Sequence, residues 1–347
     1  MWEPVVERVR AHQRFLLTTH VDPDADAIGC EIAMAEIIRG LGKEAVAWNT
    51  SPTPPGCRFL DPEGAIRSWD GREDADLLRW AEVAVILDVN SWSQLGDVGA
   101  AIRRAGLPRV VIDHHRGGDP DIGDVVASDP TAAATGVLVH ELGAALGPLG
   151  ATLTLRSATA LYAALIVDTG CFRFANTDAR ALETAAALVR AGARPAEVYR
   201  DVFERKSWGR ARLLPLALAS VRSDAGGRVA WMALTREMFR QAGASDEDAD
   251  RFVDEIRVIR GVEACAVFRE TEGGDVKATL RSAGSVDVQR VAARFGGGGH
   301  RLAAGATLPG PLEAVAARVV SALKAELPAD AGGAAPGPSP GGPSTIR

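Results

Sequence analysis

Short, β-rich apolar runs recur along the first third of the chain, at Phe15–Thr19, Glu44–Trp48, Val83–Leu87 and Arg109–Ile112, and they predict strands. Segments of helical period lie between them; Ala27–Leu41 keeps Ile28, Ile32, Ala35 and Ile38 near one face. Strands alternating with helices predict an α/β domain, a mostly parallel sheet flanked by helices. From Thr131 to about Ser220 the pattern turns helical, with the apolar Ser157–Val167 run and two helices opened by Asp178 and Pro195. A second mixed region follows, with strands predicted over Arg228–Leu234, Val262–Glu270 and Asp275–Arg281. Gly273-Gly274 supplies a hairpin turn, Ser245-Asp-Glu-Asp an acid-loaded helix start, and Leu312–Leu327 a final helix. The expected layout is an N-terminal domain over 1–190, a helical linker over 191–225 and a smaller mixed α/β domain over 226–327, facing the first across a cleft. Residues 328–347 include ten Gly or Pro and are expected to form a disordered tail.

Composition narrows the class. At 347 residues, 47% hydrophobic and 24% charged, the chain is an ordinary globular protein of about two domains. Its longest apolar run, Ala158–Val167 with Thr159 inside it, is well short of the ~18–20 residues that cross a bilayer. Glu3, Glu7, Arg8, Arg10 and Arg14 scatter charge where a signal peptide needs an apolar segment. Four dispersed cysteines with no CxxC pair then read as free thiols in a reducing cytoplasm, without a structural zinc site. The formal net charge of −6 excludes a broadly basic nucleic-acid surface. An anionic substrate must be met locally, by a few cations or by bound metal.

The carboxylates are placed informatively. VAVIL ends in Asp88, RVVI in Asp113 and YAALIV in Asp168, while FLLTT leads into His20 and then Asp22, Asp24 and Asp26. Any one of these acids is explained by a helix cap or turn. The set is not, because acids at four such ends, with His114-His115 beside them, converge where open α/β sheets bind ligands. Clustered carboxylates repel unless a cation lies between them. Carboxylate and imidazole without thiolate suit Mn²⁺ or Mg²⁺, with Zn²⁺, Fe²⁺ or Co²⁺ open, and two such ions clamp a phosphorus under attack. The residues alone therefore point to a dinuclear phosphoesterase. A second signal is Phe295-Gly-Gly-Gly-Gly-His300, whose backbone can approach a phosphate or ribose closely.

Together these motifs resemble the DHH phosphoesterase family. Asp113-His114-His115 is the triplet that names it, and His20-Val-Asp-Pro-Asp24-Ala-Asp26-Ala-Ile-Gly29 follows its H-x-x-P-D-x-D-A-x-G pattern. Asp88 and Asp168-Thr-Gly match its other acidic motifs, and the glycine–histidine segment matches its associated C-terminal domain. Within the family the two-domain layout resembles the NrnA-type oligoribonucleases. That resemblance implies hydrolysis of short single-stranded RNA to nucleoside 5′-monophosphates by a hydroxide that two metal ions activate, Mn²⁺ first and Mg²⁺ or Co²⁺ after it. It also implies dephosphorylation of 3′-phosphoadenosine 5′-phosphate and a homodimer.

Carried over residue by residue, His20, Asp24, Asp26, Asp88, His114 and Asp168 are the metal ligands, with Asp88 bridging. Asp113 orients a neighbouring imidazole, and His115 faces the scissile phosphate. Arg281, Ser282, Gly298, Gly299 and His300 hold the terminal nucleotide. Asp22, Ala25 and Gln94 depart from the pattern without touching a predicted ligand. Asn176 either touches substrate or caps the helix that Asp178 opens. The rival reading is a phosphodiesterase of cyclic or linear dinucleotides (cyclic di-AMP, pApA, pGpG). A non-catalytic nucleotide sensor is disfavoured because all six ligands are present.

Overall fold

The computed structural model describes residues 1–328, apart from the side chain of His300; the tail expected beyond Pro328 lies outside the described residues. The chain divides into two compact units, Met1–Arg205 and Lys206 onward.

The first unit is built on six parallel strands: β1 (Arg14–Thr18), β2 (Glu44–Asn49), β3 (Arg67–Ser68), β4 (Val83–Leu87), β5 (Arg109–Asp113) and β6 (Val125–Ser128). Their order is β3-β2-β1-β4-β5-β6, and all five pairings are parallel. The fully buried VAVIL of β4 shows why these runs form central strands: both faces are covered by helices. The helices are α1 (Glu3–Ala11), α2 (Ala25–Gly40), α3 (Ala75–Trp80), α4 (Trp92–Ala105), α5 (Thr135–Ala145), α6 (Leu155–Asp168), α7 (Ala179–Arg190) and α8 (Pro195–Tyr199). The edge strands β3 (RS) and β6 (VVAS) are too short for an apolar run to announce them. The chain winds outward from β1 in one direction and from β4 in the other, so the sheet's switch point lies between the carboxyl ends of β1 and β4.

The second unit has a mixed six-stranded sheet. After α9 (Trp208–Ala219) come β7 (Arg222–Asp224), β8 (Val229–Leu234), α10 (Arg236–Ala242), α11 (Phe252–Arg257), β9 (Ala264–Glu270), β10 (Asp275–Ser282), α12 (Val288–Ala293), β11 (Gly298–His300), β12 (Ala303–Pro309) and α13 (Leu312–Ala325). The order is β11-β12-β10-β9-β8-β7, antiparallel except between β8 and β9. The acid-loaded helix expected at Ser245 is only a 3₁₀ turn, Asp246–Ala249. Asp250 leaves it with extended ψ and Arg251 takes a left-handed φ of 63°, which ends the turn before α11 begins. The glycine run supplies β11. A Cβ on Gly297 would meet the Gly305 carbonyl oxygen at 2.1 Å, and one on Gly299 the Ala303 oxygen at 2.5 Å, so only glycine lets β11 lie this close to β12.

Candidate functional site

The carboxyl ends of β1, β4 and β5 and the facing ends of α2, α5 and α6 supply every group of an acid–histidine cluster in the first unit. His20 follows β1 and Asp88 follows β4, which places them on either side of the switch point. Asp24 is the N-cap of α2: its Oδ1 accepts from the backbone N–H of Asp26 and Ala27. The ordinary capping role is therefore real, and it uses one oxygen of two. Asp168 is the last residue of α6. A carboxylate at the negative end of a helix costs about 0.3–1 kcal/mol, which argues that something other than helix stability holds it there. Asp88 has a left-handed φ of 60°, a strained conformation for a residue with a Cβ.

The six residues expected as metal ligands fall into two triads, His20–Asp24–Asp88 and Asp26–His114–Asp168. Within each, one donor atom per residue lies within 4.8 Å of the others. Asp88 joins them: its Oδ2 is 3.5 Å from His20 Nε2 and its Oδ1 is 3.7 Å from His114 Nε2. His114 Nε2 is also 3.2 Å from Asp168 Oδ2 and 3.9 Å from Asp26 Oδ2. The ring orientations are set from behind. His20 Nδ1 is 2.8 Å from the Val21 carbonyl oxygen, and His114 Nδ1 is 3.1 Å from that of Ala132. Donation to those carbonyls leaves an Nε2 lone pair aimed at the carboxylates. His114 Nε2 is buried and makes no hydrogen bond.

The electrostatics express the same crowding. Burial, with the Asp168 charge added, pushes the Asp26 carboxyl up to about 7 despite His114. Asp88 is pushed well above the carboxylate range by burial, then by Asp26, Asp24 and Asp168. Burial opposes the charged form of His114, yet Asp168, Asp26 and Asp88 raise it to about 10. Protons relieve this repulsion in the metal-free protein. Divalent cations relieve it without neutralising the ligands, and the hard oxygen and imidazole donors, together with the orphaned His114 Nε2, fit such ions.

Asp113 stands behind the cluster, fully buried. Its Oδ1 is 2.8 Å from His115 Nδ1 and its Oδ2 accepts from the His115 backbone N–H at 3.1 Å, so one carboxylate fixes both the backbone and the ring. His115 Nδ1 also lies 3.7 Å from Asp88 Oδ1.

Motifs do not reveal the other residues of the site. The α5 N-terminus has no side-chain cap at Ala134; instead the backbone N–H groups of Thr135 and Gly136 donate to Asp26 at 2.8 and 2.9 Å. Thr135 Oγ1 donates to Asp88 Oδ1 at 2.8 Å, and Cys30 Sγ lies 3.4 Å from Asp26 Oδ1. Asn49 ties the end of β2 to that of β1: its Oδ1 accepts from Thr19 N–H at 3.2 Å and its Nδ2 donates to the fully buried Glu31 at 2.8 Å. Asn176 does not cap α7, since Asp178 accepts from Ala181 N–H. Its Nδ2 donates to the carbonyls of Ala133 (3.0 Å) and Asp168 (3.1 Å), stapling the loop behind His114 to the helix that ends in Asp168. A helix start with no cap of its own, at Ala134, is the one signal in the sequence that points to such a partner.

In the second unit, cross-strand register puts Arg281 of β10 opposite Ala303 of β12, and Ala303 opposite His300 of β11, a single row across three strands. The His300 side chain lies outside the described residues. Arg281 donates to the Leu280 carbonyl at 3.0 Å. Ser282 is buried, and its Oγ accepts from the N–H groups of Gly284 and Val286, which holds the turn after β10. A Cβ at Gly298 would meet nothing within 4 Å, so its face is open.

Comparison with known proteins shows the family. The DHH family N-terminal domain matches residues 14–165 and the DHHA1 domain matches residues 226–327. A bifunctional oligoribonuclease and PAP phosphatase NrnA of Thermus thermophilus is 36% identical over 90% of this chain and 89% of its own length. A cyclic-di-AMP phosphodiesterase GdpP of Geobacillus thermodenitrificans is 27% identical over 87% of this chain but 46% of its own. Among solved structures, an exopolyphosphatase-related protein of Bacteroides fragilis superposes with a TM-score of 0.88 at 23% identity, covering 93% of this chain and 95% of that one, a likeness of fold.

Proposed function

The chain belongs to the DHH family, and on that premise we propose that it is a metal-dependent phosphoesterase that hydrolyses the phosphodiester bonds of short RNA oligonucleotides to nucleoside 5′-monophosphates and the 3′-phosphomonoester of 3′-phosphoadenosine 5′-phosphate to the 5′-monophosphate and inorganic phosphate. The observation that carries this reading is the pair of ligand triads joined by Asp88, in a chain that aligns over nine-tenths of its length with an oligoribonuclease and PAP phosphatase.

In this reading His20, Asp24, Asp26, Asp88, His114 and Asp168 hold two divalent ions, Mn²⁺ by preference. Bound there, the ions supply Lewis acidity, lowering the pKa of water and offsetting charge on the phosphoryl oxygens. The chain's own groups do the remainder. Thr135 and the α5 N-terminus keep Asp88 and Asp26 aimed and partly neutralised. Asp113 holds the Nδ1 proton of His115, leaving Nε2 to contact the scissile phosphate and carry a proton to the leaving oxygen. Arg281, Ser282, Gly298, Gly299 and His300 bind the terminal nucleotide, with the open Gly298 face admitting it. The four free cysteines accord with action in a reducing cytoplasm, and none of the described helices is long and apolar enough to cross a membrane. The working form is a homodimer.

Cyclic and linear dinucleotides are the second reading, supported by the likeness to the GdpP enzyme. One turnover panel separates the two. Purified protein with Mn²⁺ is offered RNA of two to twenty-four nucleotides, pApA, cyclic di-AMP, 3′-phosphoadenosine 5′-phosphate and pyrophosphate. Fastest release of mononucleotide from two- to five-mers is the expected result. Preference for cyclic di-AMP transfers the assignment to the second reading, and tight binding with no metal-dependent turnover overturns both.

A further inference from the structure

Beside the metal cluster, within the first unit, lies a depression of about 360 Å³ whose lining includes Pro52, Thr53, Arg58, Asp61, Pro62 and Ser68. That volume falls at the lower end of the about 300–1,000 Å³ usual for small-ligand sites. Its wall is fixed. The Asp61 carboxylate is buried, and its two oxygens accept from the N–H groups of Ala65 and Ile66, both at 2.9 Å, so it shapes the turn behind the depression. Two groups there lack protein partners. Thr53 Oγ1 is buried without a hydrogen bond, a state that costs about 1–3 kcal/mol unless a ligand or water answers it. Arg58 is exposed and its guanidinium pairs with no carboxylate among the described residues; the nearby Asp61 and Glu63 face Arg156 instead, each at 3.8 Å.

Residues flanking the depression in the chain are tied to the metal loop. Ser51 Oγ accepts from the Asp22 backbone N–H at 3.0 Å, and Asp22 stands between the ligands His20 and Asp24. Thr53 is two residues on, so its Cα is no more than about 8 Å from that of Ser51. From the other side, Cys57 precedes Arg58 and feels the Asp24 charge, which adds to burial in raising its thiol to about 12.

We propose that this depression is a subsite for the second nucleoside, the one that follows the scissile phosphate in an oligonucleotide. Arg58 meets its onward phosphate, the Thr53 hydroxyl hydrogen-bonds its ribose or base, and Pro52 and Pro62 give the base two apolar faces. The proposal rests on the oligonucleotide reading and adds to it a basis for substrate choice, because RNA and pApA possess a second nucleoside and 3′-phosphoadenosine 5′-phosphate does not.

The test compares Arg58→Gln and Thr53→Val with the parent protein on pApA, on a trinucleotide and on 3′-phosphoadenosine 5′-phosphate. The ratio of KM for the trinucleotide to KM for the mononucleotide should rise about tenfold in Arg58→Gln, while pApA, which ends at the second nucleoside and has no onward phosphate, is unaffected by that variant; Thr53→Val should raise the ratio less, and for both oligonucleotides, with kcat little changed. A rise shared equally by all three substrates overturns the subsite. Binding of a labelled trinucleotide to Asp88→Asn protein, with and without Arg58→Gln, gives a readout that needs no turnover, and an unchanged Kd overturns it as well. Failure of the parent protein to cleave any oligonucleotide marks instead the failure of the underlying functional reading.

Discussion

The two units use their sheets differently. In the first, six parallel strands send every carboxyl end to one edge, and His20, Asp88 and the Asp113–His115 triplet arrive there from strands scattered through a hundred residues. Its chemistry is made of side chains, held by backbone groups of other elements: the α5 N–H groups on Asp26, the Ala132 carbonyl on His114. In the second, antiparallel pairing aligns Arg281 and His300 in one row of adjacent strands, and the exposed surface beside them is backbone, at glycines. A parallel edge concentrates charge and suits a reacting centre. A glycine-edged hairpin concentrates accessible N–H groups and suits recognition. The contrast predicts that lesions in the first unit fall on kcat and lesions in the second on KM.

The largest effect belongs to Asp88→Asn, which removes the charge that lies between the two triads. Turnover should fall by at least about 10³-fold while the fold stands; near-normal kcat in a steady-state assay would sink the two-metal reading. Asn176→Ala comes next. It cuts the staple between the Ala133 loop and Asp168 without touching a ligand, and should weaken Mn²⁺ affinity by about 10–100-fold, as the loss of an orienting partner does. Excess Mn²⁺ restores its kcat if Asn176 acts only by positioning, and a metal titration reads the difference. His300→Ala should raise KM about tenfold and change kcat less. Equal falls in kcat and kcat/KM would place His300 in the transition state and break the contrast between units.

The smallest effect is on stability. The Asp26 carboxyl is raised to about 7 in the folded chain from an ordinary 3.8, so the folded state holds a proton that the unfolded chain has already released. Metal-free protein therefore loses stability as pH rises through that window. His114, raised to about 10 from 6.5, continues the loss at higher pH. Metal recovers what is lost, so chelation should lower Tm by several degrees at pH 8 and hardly at all at pH 5. Calorimetry with and without chelator checks it, and a gap that narrows with rising pH contradicts the account.

Much of the fold and the site is legible in residue order. Central strands need apolar residues on both faces, so β1, β2, β4 and β5 show as runs, whereas the two-residue β3 has no apolar residue and the VVA of the partly exposed β6 is too short to stand out. The ligands are legible because each sits within a few residues of a strand or helix end, where local sequence records it. Asn176 resists reading because its partners are eight and forty-three residues away. The depression at Thr53 and Arg58 resists too, since nothing in Pro52–Ser68 is periodic.

What the sequence determined by itself was the inventory and the alternation: which acids and imidazoles the chain carries, that they follow β-type runs, and that those runs alternate with helices. Such features are local, written in residue type and spacing. Only the tertiary structure decided that six ligands divide into two triads that Asp88 joins, that Asp26 caps a helix more than a hundred residues away, and that Gly297 and Gly299 serve a strand pairing. Those outcomes depend on strand order and on the close approach of distant backbone, which follow from how the whole chain buries its apolar surface.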